Sequence, residues 1–243
     1  MSPRDRDQPG PTVLGIDTAT PDVAVAVGRG VDCLGEKQIQ PLAGERPRHT
    51  SALLPAVEEL VAEAGGWETV DRVAVGLGPG SFTGLRIGIA TARGLARAHG
   101  VELTGVGSLA ALARGIGEQD ERESGSRLAV IDARRGEVFA LFRGVDGGAI
   151  WGPIVVAPNK LGSLVEEASR PVQAAGDGAL RFRTELEAAG IDVLPGADPT
   201  HRLSARHVCA LSSDPREALT EVKPVYLREP DAKLWRERDS GNP

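Results

Sequence analysis

The order of strand-like and helix-like segments constrains this chain more than any single motif does. "TVLGIDTA" from Thr12, "VAVAVG" from Val23 and "VDCLGEKQI" from Val31 read as three strands, with the glycines at 28 and 30 marking a hairpin turn. A helix follows over 49–66, where Leu53, Leu54, Val57, Leu60, Val61 and Ala64 recur at helical spacing. Pro55 falls in its first turn or kinks it. Then come a strand, "DRVAVGL", a glycine-rich turn, a helix ending at His99, and a strand, "VELTGV". The second half repeats that order. "SRLAVIDA" and "EVFALFRG" join at Arg134-Arg135-Gly136, "AIWGPIVVA" is a third strand, and helices around "NKLGSLVEEAS", "ALRFRTELEAAG" and "SARHVCALS" alternate with short strands "VQAAG" and "IDVL". Three strands followed by alternating helix and strand thus occur twice, which predicts a duplicated α/β unit. The expected division is a disordered tail at 1–11, one domain at 12–107, a second at 108–228 and a flexible tail at 229–243. Residues 114–127 serve as linker, and the last helix is free to pack back on the first domain.

Composition removes several classes of function. Aromatics are only 3% of the 243 residues, so the core must be built from Val, Leu, Ile and Ala. A net charge of −6 argues against a chain whose main task is gripping nucleic acid through phosphates. Cys33 and Cys209 stand far apart, with neither CxxC nor Cys/His spacing, so no disulfide framework or zinc site is expected. No segment approaches the roughly 20 apolar residues that span a bilayer. The polar start "MSPRDRDQPGP" is not a signal peptide, so a cytoplasmic location is expected.

The stretch "GLGPGSFTGLRIGIATARGLA" (76–96) carries the chemistry question. A glycine turn opening a helix suits an anion, because free N–H groups and the helix dipole point at it. Yet a phosphate loop needs GxxxxGK[ST], and no lysine is near. Gly78, Gly80 and Gly84 give GxGxxxG, one residue too long for the dinucleotide fingerprint. Ser81 sits in Pro-Gly-Ser-Phe-Thr rather than GxSxG, and nothing marks His49, His99, His201 or His207 as its base. On a helix from Thr83, Gly84, Gly88, Thr91 and Leu95 share one face, and Leu85, Ile89, Ala92 and Ala96 the next. Arg86, Arg93 and Arg97 share a third. Two glycines near a helix start, each costing up to about 1 kcal/mol relative to Ala, imply a close backbone contact, either within the domain or with a partner. The arginines form a solvated face or meet an acidic partner.

"GIDTATPDVAVAVG", "RHTSALLPAVEELV", "VAVGLGPGSFTGLRIGIATARGLA", "GVGSLAALA", "IDARRGEVFALF" and "PVYLRE" together resemble the family of the tRNA threonylcarbamoyladenosine biosynthesis protein TsaB, formerly YeaZ, over residues 13–229. The resemblance implies two ribonuclease H-like domains of the actin, sugar kinase and Hsp70 (ASKHA) superfamily. It implies a non-catalytic subunit that binds the paralogue TsaD, with the ATPase TsaE as third component. That complex transfers a threonylcarbamoyl group to the adenosine beside the anticodon of tRNAs; tRNA is its substrate and ATP is used by the complex, not by this chain as a cofactor. In TsaD the segment GVNHMEAH supplies two metal-binding histidines. Here Ser108 and Leu112 stand at those positions, and Leu cannot ligate a metal, so the metal is expected on TsaD.

The resemblance also names site residues. Asp17 stands where superfamily ATPases hold magnesium and phosphate, and Asp17, Gly78 and Gly80 are expected as a vestigial nucleotide site. Gly176-Asp177-Gly178 resembles a vestige of the adenosine loop. Family members pair with TsaD, or with themselves as homodimers, through their first two helices. Leu53, Val57, Leu60, Gly84, Leu85, Arg86, Gly88, Ile89 and Arg93 are the expected interface, its apolar members divided between partner and core. An ASKHA-type ATPase or kinase is the alternative, and a peptidase a more distant one.

Overall fold

The computed structural model describes residues 10–30, 32–42, 44–116, 118 and 125–228. The expected tails at 1–11 and 229–243 lie outside the described residues except for Gly10 and Pro11, as do residues 117 and 119–124 of the expected linker. β1 (Thr12–Asp17), β2 (Val23–Arg29), β3 (Asp32–Ile39), β4 (Arg72–Gly76) and β5 (Glu102–Val106) make one sheet in the order β3-β2-β1-β4-β5. β1, β2 and β3 run antiparallel, while β4 and β5 run parallel to β1. The second sheet contains β6 (Ser126–Arg134), β7 (Glu137–Arg143), β8 (Ala149–Val156), β9 (Val172–Ala175) and β10 (Asp192–Val193), ordered β10-β9-β6-β7-β8. Read from β8, it repeats the first sheet strand for strand and direction for direction. The duplicated mixed α/β unit expected from the sequence is the architecture found.

The two faces of the first sheet differ because successive residues point opposite ways. Leu14, Ile16, Val23, Val25 and Val27 form one core with α1 (His49–Glu63) and α2 (Phe82–His99). The other face carries small groups, Ala24, Ala26 and Ala74 beside Val13, and receives α3 (Ser108–Ile116) and α7 (Ala205–Leu211). α7 lies so close that a Cβ on Gly15 would stand 2.6 Å from both the Ala205 carbonyl oxygen and Cys209 Sγ. Cys209 is buried and acts as a small filler, its thiol donating to the Val13 carbonyl at 3.4 Å. Burial pushes that thiol's pKa well above the ordinary thiol value. Cys33 is exposed, and both cysteines are free.

α2 begins at the Ser81 N-cap, whose hydroxyl accepts from Gly84 N at 3.2 Å, and ends at Gly100 in the left-handed region. α1 has no side-chain cap and contains Pro55 within it. In the second lobe the helices are shorter than the sequence implies. α4 (Leu161–Leu164), α5 (Asp177–Arg181) and α6 (Arg183–Ala188) replace two longer segments. α3 has no counterpart in the sequence reading: it is buried nearly all round, so it lacks the polar face that would reveal a helical period. Together with Ala19 and Leu85 of the first lobe and Ile131, Phe139 and Leu141 of the second, it builds an apolar cluster between the lobes.

The small-residue face sets up a paired test. Gly15→Ala should cost about 1–3 kcal/mol, because the clash is with helix backbone that cannot rotate away. Gly94, on α2, has nothing within 4 Å of where a Cβ would stand. Gly94→Ala should add about 0.5–1 kcal/mol by helix propensity. Urea unfolding of both variants checks the opposite signs.

Candidate functional site

The glycines of α2 face inward. A Cβ on Gly84 would overlap the Thr18 carbonyl oxygen, and one on Gly88 would overlap Thr18 Oγ1. The Thr18 hydroxyl donates to the Gly84 carbonyl at 2.8 Å, closing the contact. His49, from the start of α1, is buried beside them. Its Nε2 lies 2.9 Å from the Thr20 carbonyl, which only accepts, so that nitrogen carries the proton. The close approach implied by Gly84 and Gly88 is therefore made within the chain, to the loop after β1.

This corrects the expected interface. Leu53, Val57, Leu60, Gly84, Leu85, Gly88 and Ile89 are all buried in the chain's own core and offer nothing to a partner. Arg86 and Arg93 are on the surface, but both engage the C-terminal segment. Arg93 donates to the Val222 carbonyl, and Arg86 Nε donates to the Tyr226 hydroxyl at 3.3 Å while its guanidinium lies 3.8 Å over the Phe82 ring. Besides Arg86 and Arg93, the residues that α1 and α2 leave outside include Ser51, Leu54, Pro55 and Glu58 on α1, and Thr83, Ala90, Gly94, Arg97 and Ala98 on α2. Leu54 is 46% exposed and is the large apolar side chain that α1 presents outward.

The turn before α2 is also closed on itself. Ser81 N donates to the Ala19 carbonyl at 2.7 Å, and a Cβ on Gly80 would overlap that same oxygen. Gly78 adopts φ +92, a conformation that favours glycine, and its amide donates to Ser108 Oγ at 3.1 Å. Asp17 is 1% exposed, its Oδ1 accepts from Ala19 N at 2.8 Å, and its Oδ2 is packed over Gly76 without a hydrogen bond. Asp17, Gly78 and Gly80 are brought together, but as parts of a packed junction. A nucleotide phosphate with its metal does not fit there, because the two loops that would cradle it are bonded to each other. Ser81 is a helix cap, and no histidine among the described residues is hydrogen-bonded to it.

A cleft of about 300 Å³ opens above this junction, between the lobes. It is lined by Thr20, Ser81 and Phe82 of the first lobe, by Asp132, Arg134 and Asp177 of the second, and by residues 225–228. Asp132 is held by Arg181 at 2.9 Å and by Arg134 N at 2.9 Å, while its own amide donates to Asp177 Oδ1 at 2.9 Å. Burial raises the pKa of Asp177, opposed by that amide. Gly178 packs against β6, where a Cβ would stand 2.8 Å from the Ile131 carbonyl carbon. The Gly176-Asp177-Gly178 segment thus fastens α5 to β6. The Arg134-Arg135-Gly136 turn runs through three consecutive positive φ angles, +65, +54 and +77, of which only the last is natural for its residue. Ser108 and Leu112 both lie on α3, 0% and 2% exposed, Leu112 in the apolar cluster between the lobes.

Burial raises the Asp17 carboxyl from 3.8 to about 6, against the opposing pull of the Ala19 amide. Well below pH 3.8 folded and unfolded chains both hold the proton, so the group costs nothing. Between there and pH 6 the unfolded chain loses its proton first, and stability falls as pH rises. Asp17→Asn keeps the acceptor for Ala19 and removes the charge. It should stabilise the fold by about 1–3 kcal/mol at pH 7.5, with most of the gain gone at pH 4. Thermal melts at the two pH values check it, and an equal effect at both would refute the assignment.

Comparison with known proteins accords with this architecture. A family model described as TsaD, tRNA N6-adenosine threonylcarbamoyltransferase, matches residues 41–188. The uncharacterized protein Rv3421c of Mycobacterium tuberculosis is 36% identical, covering 91% of this chain and 94% of its own. The tRNA threonylcarbamoyladenosine biosynthesis protein TsaB of Haemophilus influenzae is 33% identical, covering 89% and 93%. Among solved structures, YeaZ from Pseudomonas aeruginosa superposes with a TM-score of 0.68 at 27% identity, covering 89% of this chain and all of that one. With a full-length TsaB relative, a YeaZ structure and the same duplicated fold in agreement, the chain belongs to the TsaB (YeaZ) family.

Proposed function

We propose that this chain is the non-catalytic, TsaD-binding subunit of the cytoplasmic complex that transfers a threonylcarbamoyl group to the adenosine next to the tRNA anticodon. Relatives named for that biosynthesis support the pathway. The observation that carries the subunit role is the chemistry of α3. Where the TsaD segment has its two histidines, this chain has a buried hydroxyl engaged with Gly78 N and a buried leucine. Neither position has a ligand to offer a transition metal.

TsaD is taken to dock on the outward side of α1 and α2. Thr83, Ala90, Gly94 and Ala98 are small, so a second helix pair can approach closely, and Leu54 supplies apolar area. The acidic balance of the chain makes it a poor primary surface for tRNA, which enters as substrate of the whole complex with TsaE. Reconstitution tests the function directly. TsaD, TsaE, ATP, threonylcarbamoyl-adenylate and unmodified tRNA should yield modification with this chain and little without it. Equal yields would overturn the reading.

Ala90→Arg places a long charged side chain in the middle of the exposed strip without touching the core. The variant should melt within about 2 °C of wild type, since exposed substitutions change stability by under about 0.5 kcal/mol. It should lose co-elution with TsaD, because one unmatched buried charge at an interface costs several kcal/mol. Size-exclusion chromatography of the mixed proteins reads the outcome.

A further inference from the structure

We propose that residues 219–228 form a strap, anchored on the first lobe and latched to the second, whose release opens the interlobe cleft without unfolding the protein. The two ends of this segment are held very differently. At its start, Leu219 and Gly105 exchange both backbone hydrogen bonds, at 2.8 and 2.9 Å, on the free edge of β5. Val222 is buried in the first-lobe core, its carbonyl accepts from Arg93, and Val225 N donates to the Leu77 carbonyl at 2.8 Å. These are backbone contacts made to rigid elements, and they keep this end in place.

Beyond Val225 the segment runs along α2 toward the second lobe, and the Tyr226 hydroxyl accepts from Arg86 Nε at 3.3 Å. Tyr226, 41% exposed, rests its ring 5.1 Å from that of Phe82, and Leu227 packs against the apolar cluster between the lobes. Arg228 then crosses to the β6–β7 hairpin, donating to the Ala133 carbonyl at 3.0 Å and pairing with Glu137. The Arg228 and Glu137 side chains are 25% and 39% exposed, so water competes for the pair and limits its strength. A root held by the main chain and a half-buried tip held by side chains, Tyr226 on Arg86 and Phe82 and Arg228 on Glu137, are conditions for local opening at a free energy below that of global unfolding. The geometry adds the consequence: Val225, Tyr226, Leu227 and Arg228 line the same cleft as Thr20, Asp132 and Asp177, so their release removes part of its lining.

The test uses the full chain and hydrogen exchange read by mass spectrometry. Arg228→Ala removes both the carbonyl contact and the ion pair, and Glu137→Gln removes only the charge. Arg228→Ala should speed exchange about tenfold in peptides covering 223–228 and the hairpin at 132–138, with Glu137→Gln intermediate. Peptides from β1 and β4 should keep wild-type rates. Cleft access is read separately with Thr20→Cys in a Cys33→Ser background, where Arg228→Ala should raise the rate of maleimide alkylation by a similar factor. Unchanged exchange at the strap in both variants would overturn the proposal, and so would faster exchange spread evenly over β1 and β4, which would make the contact part of the global fold. Faster strap exchange with unchanged alkylation would also overturn it, since the cleft would then not depend on the strap.

Discussion

The contact between the loop after β1 and the glycines of α2 is the constraint on which the rest of the first lobe depends. Thr18 offers its carbonyl and hydroxyl to Gly84 and Gly88, and Ala19 offers its carbonyl to Ser81. Two glycines inside a helix cost up to about 1 kcal/mol each. That cost is offset by a buried hydrogen bond and by seating Leu85 and Ile89 in the core. The same contact fixes which side of α2 is left outside. It also closes the glycine turn before α2 against the loop after β1.

Asp17 shows what that closure does to a carboxylate at a strand end. Enclosed beneath the loop with one oxygen unpaired, it is held nearer to neutral than an aspartate should be. Its neighbour Ser108, at the start of α3, receives the Gly78 amide. The positions that would belong to metal and nucleotide chemistry are thus joined into the support of the glycine turn. The arginine stripe of α2 has a comparable fate: Arg86 and Arg93 hold the chain's own C-terminal segment.

Much of this architecture was legible in the sequence, and the failures have physical causes. The strands were readable because central strands of a two-sided sheet are continuous apolar runs between turns, as in β1 and β2. The projection of α2 separated the glycine, leucine and arginine faces correctly, but periodicity cannot tell which apolar face meets the chain itself and which meets something else. Thr18 lies 66 positions from Gly84, and Val222 lies 129 from Arg93, so no local pattern reports either contact. α3 went unread because a helix buried on every side has no polar stripe. The helices of the second lobe were overestimated because Phe182, with φ −112, breaks one apolar stretch into α5 and α6.

The position of α7 bears on how the protein is made. The small-residue face of the first sheet, Val13, Ala24, Ala26 and Ala74, is completed by residues 205–211, which leave the ribosome only after the whole second lobe. At ordinary rates of synthesis the roughly 100 intervening residues take on the order of 5–20 s. For that interval the face is covered by α3 alone, and the part around Gly15 and Ala26 that α7 occupies stays open. A fold whose early half is sealed by its last helix has few local contacts to complete it and depends on the end of translation. The N-terminal half is therefore the part of this chain that most needs shielding while it is being synthesised.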